Sequence, residues 1–355
     1  MKDFCTKLGV VMARKVRLSD VAARCGVSVS SASRALSSDK GVRPEQREAV
    51  LAAARQLGYP IPRLRTGDTI IVAASGAAML DYSRNQFTAH VLEGLRERAD
   101  ALGYKVSTRP VADVSAEREI VAEALGDDHV AGLLFLTLDD EEMLETVRGL
   151  TKPIVLVNGD DPRMRLSSVA PCNRAAAAVA TQFLRRLGHE RILFLTRPGR
   201  RTIERRREGW SDAMADLGRD AVTDLVVSVE DWLPDLAAAA IERRIAERGL
   251  DFTAVLAAAD SLASGAMSQL SRMGYDVPGD ASVIGMDDLP GSAFHSPPLT
   301  SVHIPMREIG ATAVDILCEE MENRERPARR VELACSLVER ASATSRMSAA
   351  PLLTA

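Results

Sequence analysis

The chain is poor in the residues that most cofactor and metal chemistry requires. Its five cysteines, Cys5, Cys25, Cys172, Cys318 and Cys335, are odd in number, scattered and without a C-x-x-C pair, which points to neither a disulfide framework nor a thiolate zinc site. The five histidines, His90, His129, His189, His295 and His303, show no ligand spacing, and the adjacent Asp287 and Asp288 lack His or Cys partners. No metal and no cofactor is therefore expected. No G-x-G-x-x-G follows an apolar strand and no G-x-x-x-x-G-K-[ST] occurs, so a dinucleotide or P-loop enzyme lacks its phosphate cradle. No apolar run approaches the roughly 18–20 residues of a membrane span. The N-terminus shows no secretory h-region with a cleavage site, and Met12 opens MARKVRLSD, a plausible alternative start. The expectation is a cytoplasmic protein with no membrane partner.

What the chain does have is an uneven distribution of charge. Residues 1–67 carry 13 Lys and Arg against 5 Asp and Glu, whereas the remainder carries 32 against 44; the net −4 conceals a basic head on an acidic body. A basic module gains affinity for a duplex by releasing condensed counterions, and an acidic body is kept off it. A solvated helical domain that binds protein is the competing reading of the head.

Within that head, residues 18–57 read as three short helices. Ser19 suits an N-cap, with Asp20 in the first turn at the positive end of the helix dipole, and Val21, Ala22 and Cys25 form one face. Gly26 supplies a sharp turn. Ser28 caps a second helix, in which Val29, Ala32 and Leu36 recur at helical spacing and Ser30, Ser31 and Arg34 lie on other faces. Pro44 opens the third helix, Val50, Leu51, Ala54 and Leu57 form its stripe, and Gly58 closes it.

The pattern L-x-D-V-A-x-x-x-G-V-S-x-x-x-x-S-R-A-L, from Leu18 to Leu36, resembles the lac/gal repressor family of bacterial helix-turn-helix transcription regulators. The resemblance implies that Val29, Ser30 and Arg34 face base edges in the major groove, while Ser28, Ser31 and Ser33 help hold phosphates. The chemistry agrees: arginine can donate twice to guanine, serine adapts, and valine can touch a thymine methyl. Each serine also has a competing role as a cap or a solvent-facing hydroxyl. Relatives carry a hinge segment whose leucine wedges into the minor groove; here Tyr59 and Leu64 are separated by four residues, with Pro60 and Pro62 removing helix donors. A full hinge helix is therefore not expected, and Leu64 is the candidate wedge.

Beyond the connector at residues 60–68, short apolar runs alternate with helical patterns, the signature of an α/β fold. TIIVAA, VAGLLFL, PIVLVN, RILFL, TAVLAAA and SVIGM read as buried parallel strands. The segment from Val91 to Leu102, closed by Gly103, and that from Ala175 to Leu187, closed by Gly188, read as helices. The stretches HVAGLLFL, LGHERILFL, RRREGW, SVIGMDDLPGSAFHSPPLTSV and LVERAS extend the resemblance. It implies an N-terminal all-α helix-turn-helix headpiece, residues 16–59, and an α/β periplasmic-binding-protein-like two-lobe effector domain, residues 69–342. One lobe is expected at about 69–167 and 304–330, the other at about 168–303 and 331–342, with a loose tail from 343.

Ligands of open α/β sheets bind at the carboxyl ends of strands. Asn158, Asp260 and Asp287 follow three of the predicted strands, and the resemblance adds Arg206, which would grip effector oxygens, and Phe87 and Trp232, whose rings would cover an apolar face. Competing readings stand beside these: Asp260 and Asp287 as helix caps, Arg206 as part of a solvated basic surface, and Phe87 as core. The function implied is a transcription regulator, a repressor, that binds operator DNA as a homodimer under the control of a small polar effector such as a sugar. The helices at 88–102 and 306–321 are the candidates for the dimer face. A transport protein on the same lobes would need a secretion signal and no basic head, and an enzyme would need a nucleophile or an acid/base pair in the cleft.

Overall fold

The computed structural model describes residues 16–37, 42–57, 59, 68–76, 86–215, 223–323 and 325–346. The alternative start at Met12, Gly58 and the connector's residues 60–67 with Leu64 lie outside the described residues. The chain divides into two units between Thr66 and Gly67.

The first unit is the headpiece, built of α1 (Leu18–Cys25), α2 (Val29–Ser37) and α3 (Pro44–Leu57). Its core is small: Val21, Ala22, Ala32, Ala35, Leu36, Val50, Ala53 and Ala54. The cap expected at Ser19 lies elsewhere. α1 starts at Leu18 with Arg17 in the cap position, and the Asp20 carboxylate accepts the Arg17 N–H at 2.7 Å. An acid at the third helical position satisfies the cap's own amide, so the helix begins one residue before the serine. Gly26, at φ 66, takes the left-handed turn as expected, and the next amide, Val27 N–H, donates back to the Ala22 carbonyl at 3.1 Å. Ser28 does cap α2: its Oγ accepts the Ser31 N–H at 3.1 Å.

The second unit holds two six-stranded sheets. The first runs in the order β11 (Arg330–Leu333), β5 (Ser167–Pro171), β4 (Ile154–Val157), β3 (Val130–Leu136), β1 (Thr69–Ser75) and β2 (Lys105–Val111), all parallel. Side chains alternate along β1. Ile70, Val72 and Ala74 join a core with α4 (Gln86–Ala101) and α11 (Met306–Glu322), while Ile71 and Ala73 join a second core with α5 (Val114–Gly126) and α6 (Glu141–Val147). Burial on both faces explains why such strands read as continuous apolar runs.

The second sheet runs β12 (Ser336–Val338), β10 (Thr300–His303), β9 (Ser282–Asp287), β8 (Ala254–Ala257), β6 (Ile192–Thr196) and β7 (Val226–Ser228); β12 alone is antiparallel to its neighbour. It packs with α7 (Asn173–Arg186), α8 (Arg201–Ala213), α9 (Pro234–Arg248) and α10 (Asp260–Arg272) around Trp210, which stacks on Phe194 with centroids 5.4 Å apart.

The chain crosses between lobes three times. The boundaries expected at 167/168 and 330/331 fall inside strands, because β5 and β11 pair with each other in the first sheet. The crossings follow Pro171, His303 and Leu333, and the first and third are tied together by Cys172 N–H donating to the Leu333 carbonyl at 2.8 Å. The tail expected to be loose from residue 343 is held as far as Arg346. Thr344 N–H donates to Ser282 Oγ at 3.1 Å, and Arg346 N–H to the Leu187 carbonyl at 2.8 Å.

The two helices named as candidates for the dimer face bury one apolar stripe each against the other. α4 and α11 cross so closely that a Cβ on Gly94 would collide with the Arg307 carbonyl, and one on Gly310 with the Val91 carbonyl. Val91, Leu95, Ile309, Ala313 and Val314 are buried between these helices and the sheet.

Candidate functional site

The headpiece presents one face of α2. Ala32, Ala35 and Leu36 are buried, whereas Val29, Ser30, Ser33 and Arg34 are exposed on the opposite arc. Val29, which the resemblance turns toward base edges, is 50 % exposed; the alanines and Leu36 fill the space against the two neighbouring helices, which leaves the valine outside. An exposed valine on a short basic helix costs stability in isolation and suits a contact with a base methyl. Ser28 Oγ lies 2.9 Å from Ser30 Oγ and 2.8 Å from Ser31 Oγ, so the helix entrance carries a cluster of hydroxyls. The Arg34 Nε donates to the Ser30 carbonyl at 3.3 Å, along its own helix.

In the body, a cavity of about 210 Å³ lies between the lobes. Five of the six expected effector residues line it: Phe87 from α4, Asn158 after β4, Arg206 from α8, Trp232 before α9, and Asp287 at the end of β9. Both sheets direct the carboxyl ends of their parallel strands at this space, as the topology requires. Three lining residues, Thr137, Asn158 and Asp287, hold positive φ of 58°, 50° and 132° without being glycine. Such conformations cost of order 1–3 kcal/mol each and persist where surrounding structure holds them.

Arg206 is the centre of the second lobe's contribution. It is 4 % exposed; its Nε donates to Asn173 Oδ1 at 2.8 Å and its Nη1 to the Ala258 carbonyl at 2.5 Å, with Asp287 Oδ1 3.8 Å from Nη1. A solvated basic surface is thereby ruled out for it. Burial pushes the Asp287 carboxyl up to about 8, against the pull of the Arg206 guanidinium. On the first lobe, Thr137 Oγ1 and Asn158 Oδ1 are buried without a hydrogen-bond partner. Orphaned acceptors on the wall of a cavity are costly unless a guest supplies the missing donors. Phe87 is both half-buried core and cavity wall.

Asp260 does not line the cavity. It is 3 % exposed beneath it, and its carboxylate accepts from Ser292 Oγ and Ser301 Oγ at 2.5 Å each and from Leu289 N–H at 2.9 Å. Burial pushes its carboxyl up while those three donors pull it down. Its work is to pin the segment after Asp287 to the start of α10, a role set by partners some 30 to 40 residues away that no local pattern reveals. Sequence reasoning also missed Thr137, Arg197 and Arg200, all of which line the cavity. Thr137 and Arg197 directly follow β3 and β6, so the rule that found Asn158 would have found them. Among the described residues, no group of three or more His, Cys, Asp or Glu is placed to hold a metal, and no helix is long and apolar enough to cross a membrane.

The pattern of a periplasmic binding protein-like domain matches residues 181–343, and that of bacterial regulatory proteins of the lacI family matches residues 17–61. The HTH-type transcriptional regulator MalR of Streptomyces coelicolor is 33 % identical over 340 residues, which is 93 % of this chain and 97 % of MalR. The chain belongs to the lacI family. As a member of that family it is a helix-turn-helix transcription regulator with a periplasmic-binding-protein-like effector domain. The transcriptional regulator CelR in complex with cellobiose superposes at a TM-score of 0.70 with 28 % identity, covering 92 % of this chain and 99 % of CelR. The lac repressor dimer bound to operator and the anti-inducer ONPF superposes at 0.68 with 26 % identity, covering 93 % and 100 %. The lacI-family regulator thus matches proteins crystallised with ligands of both kinds, DNA and small molecule.

Proposed function

We propose that this lacI-family regulator represses transcription as a homodimer on a palindromic operator, and that a sugar-class effector in the interlobe cleft sets its affinity for DNA. The observation that carries the reading is the cleft's complement of groups. Arg206 offers donors, Asp287, Thr137 and Asn158 offer acceptors, and the rings of Phe87 and Trp232 flank them. Hydroxyls, which donate and accept, match such a mixture, and the apolar face of a sugar ring matches the aromatics. The complex of CelR with cellobiose and the operator complex of the lac repressor support both halves of the proposal.

Dimerisation is an economy of recognition. One short helix reads only a few base pairs, and two heads on a two-fold site multiply the discrimination. On this reading Val29, Ser30 and Arg34 contact bases and Ser28, Ser31 and Ser33 contact phosphates, with Leu64 as the candidate minor-groove wedge. Effector binding shifts the lobes' arrangement, and operator affinity changes by the difference in binding energy between the two arrangements.

Thermal unfolding of the full-length protein with cellobiose, maltose, ribose and sugar acids tests the cleft. A ligand at about a hundredfold its Kd adds about 2.7 kcal/mol, a shift of several degrees. One sugar is expected to give it, and Thr137→Val, which keeps the side-chain shape, is expected to weaken it. If none of these compounds moves the transition, the sugar-effector reading is wrong.

A further inference from the structure

The start of α8 carries an arginine run whose members reach in different directions. Arg206 faces its own lobe through Asn173 and Ala258. Arg200 and Arg205 reach into the other lobe. Arg200 Nε donates to Asp139 Oδ1 at 3.2 Å, and its Nη2 donates to the backbone carbonyl of Asn158. Arg205 grips Asp160 with Nε at 3.0 Å and Nη2 at 2.6 Å, and Arg201 Nε stands 3.5 Å from the same carboxylate. The Asp160 side chain is 3 % exposed and also receives Arg330 from β11 of its own lobe. The next residue, Asp161, is anchored wholly within the first lobe, by Arg148 Nη2 at 2.5 Å and by the N–H groups of Arg163, Arg165 and Leu166.

The loop after β4 is thus held at two points. Asp161 ties it to Arg148 and to residues 163–166 of its own lobe, and the Asn158 N–H donates to the Val169 carbonyl of β5 at 2.8 Å, while the Asn158 carbonyl and the Asp160 carboxylate also receive arginines from across the cleft. Asn158, at φ 50°, needs such support to keep its carbonyl and side chain where they are.

We propose that Arg200 and Arg205 are positioning residues for the effector cleft: anchored on the second lobe, they fix the first lobe's 158–160 loop and so present Asn158 to ligand only when the lobes are closed. α8 then joins two tasks, because the helix that offers Arg206 to the ligand also holds the opposite wall in place. Guanidinium forks suit this role, since two donors of one planar group, both on Asp160 Oδ2 for Arg205 and divided between Asp139 and the Asn158 carbonyl for Arg200, fix direction as well as distance. This inference rests on the cleft being the effector site, although the latch can be tested without ligand.

Hydrogen exchange on the full-length, ligand-free protein is the decisive experiment. In Arg200→Gln/Arg205→Gln, amides of residues 158–161 and of the first turn of α8 are expected to exchange about tenfold faster or more, a modest rise in local opening. Protection in β3 and β6 should be unchanged, and Arg330 keeps the Asp160 charge paired so that the lobe stays folded. Asp160→Asn should loosen the loop at least as much as Arg205→Gln, because it also releases Arg201 and Arg330, and adding Arg205→Gln to it should bring nothing further. The proposal is overturned if the 158–161 amides exchange as in the wild type, or if both lobe cores loosen equally, which would mark a merely structural role. A second arm titrates cellobiose, maltose and ribose. If one binds the wild type, the double variant should bind it about tenfold more weakly or worse, as expected for loss of charge-assisted contacts that organise a site. Undiminished affinity overturns the proposal. If none binds the wild type, the sugar reading fails while the exchange result still decides the latch.

Discussion

Replacing Arg206 by methionine keeps most of the side-chain volume and removes the charge, and its cost should depend on pH in a way set by Asp287. Two acceptors, Asn173 Oδ1 and the Ala258 carbonyl, lose their donors. For buried acceptors that is about 1–3 kcal/mol each at most, so a loss of about 2–4 kcal/mol is expected at neutral pH. Asp287 adds little there. Its carboxyl is pushed up to about 8 in the folded protein against an ordinary value of 3.8, so near pH 7 it is already protonated and needs no counter-charge. Because the folded value is the higher one, Asp287 lowers wild-type stability as pH rises from 3.8 towards 8, and the loss stops growing above 8. Without Arg206 the folded carboxyl is driven higher still, and the decline continues past pH 8 at about 1.36 kcal/mol per pH unit. The gap between variant and wild type should therefore widen by up to about 2 kcal/mol between pH 8 and pH 9.5. Urea unfolding of both proteins at pH 7, 8 and 9.5, followed by near-ultraviolet circular dichroism, measures it. A gap that stays constant from pH 7 to pH 9.5 would refute the reasoning, since Asp287 would then be ionised beside the arginine throughout or would not feel it.

Three further outcomes are expected. Glu117 is 1 % exposed on α5 with both carboxylate oxygens unpartnered, and burial pushes its carboxyl up to about 7 from 4.5. Wild-type stability should fall as pH rises through that window by up to about 3 kcal/mol. Glu117→Met should remove that part of the fall and leave the part due to Asp287, and identical pH profiles for the two proteins would contradict the burial. Gly310→Ala should drive α11 off α4, because the new methyl meets the Val91 backbone rather than a yielding side chain; overpacking of this kind costs about 1–3 kcal/mol or more, and an unchanged melting temperature would count against the close crossing. Arg34→Ala should weaken operator binding by about 1–3 kcal/mol and relax preference at one position of each half-site, whereas a uniform loss at all positions would make Arg34 a phosphate contact.

The parts of the protein visible in its sequence are those governed by local rules. The headpiece was legible because a left-handed Gly26, a Ser28 cap and a proline at the first position of α3 each have a local physical cause. The central strands were legible because burial on both faces leaves an unbroken apolar run. Edge and short strands were not: β2, KVSTRPV, is half-exposed and contains Pro110, which an edge tolerates, and β5 and β11 are defined by their pairing with each other. Among site residues, Asn158, Arg206, Trp232 and Asp287 follow from strand ends and family pattern. Asp260 looked the same by sequence, yet Ser292 and Ser301 draw it beneath the cleft. The close crossing of α4 and α11 rests on Gly94 and Gly310, each of which lies against the other helix's backbone, a pairing that no local pattern in either helix shows. The tail from residue 343 carries no apolar pattern, and its order up to Arg346 rests on its backbone groups meeting Ser282, His189 and Leu187.

The proposed division of labour has a basic three-helix head read DNA and a cleft with mixed donors and acceptors read a small metabolite. The measurement that tests it most directly is selection of binding sites by the full-length protein from random duplex DNA near 0.15 M salt. The expected result is a two-fold symmetric motif with half-sites spaced for two heads, lost or altered in Arg34→Ala. Failure to enrich any motif, or enrichment of one that Arg34→Ala leaves untouched, would contradict the assignment of α2 as the reader of operator DNA.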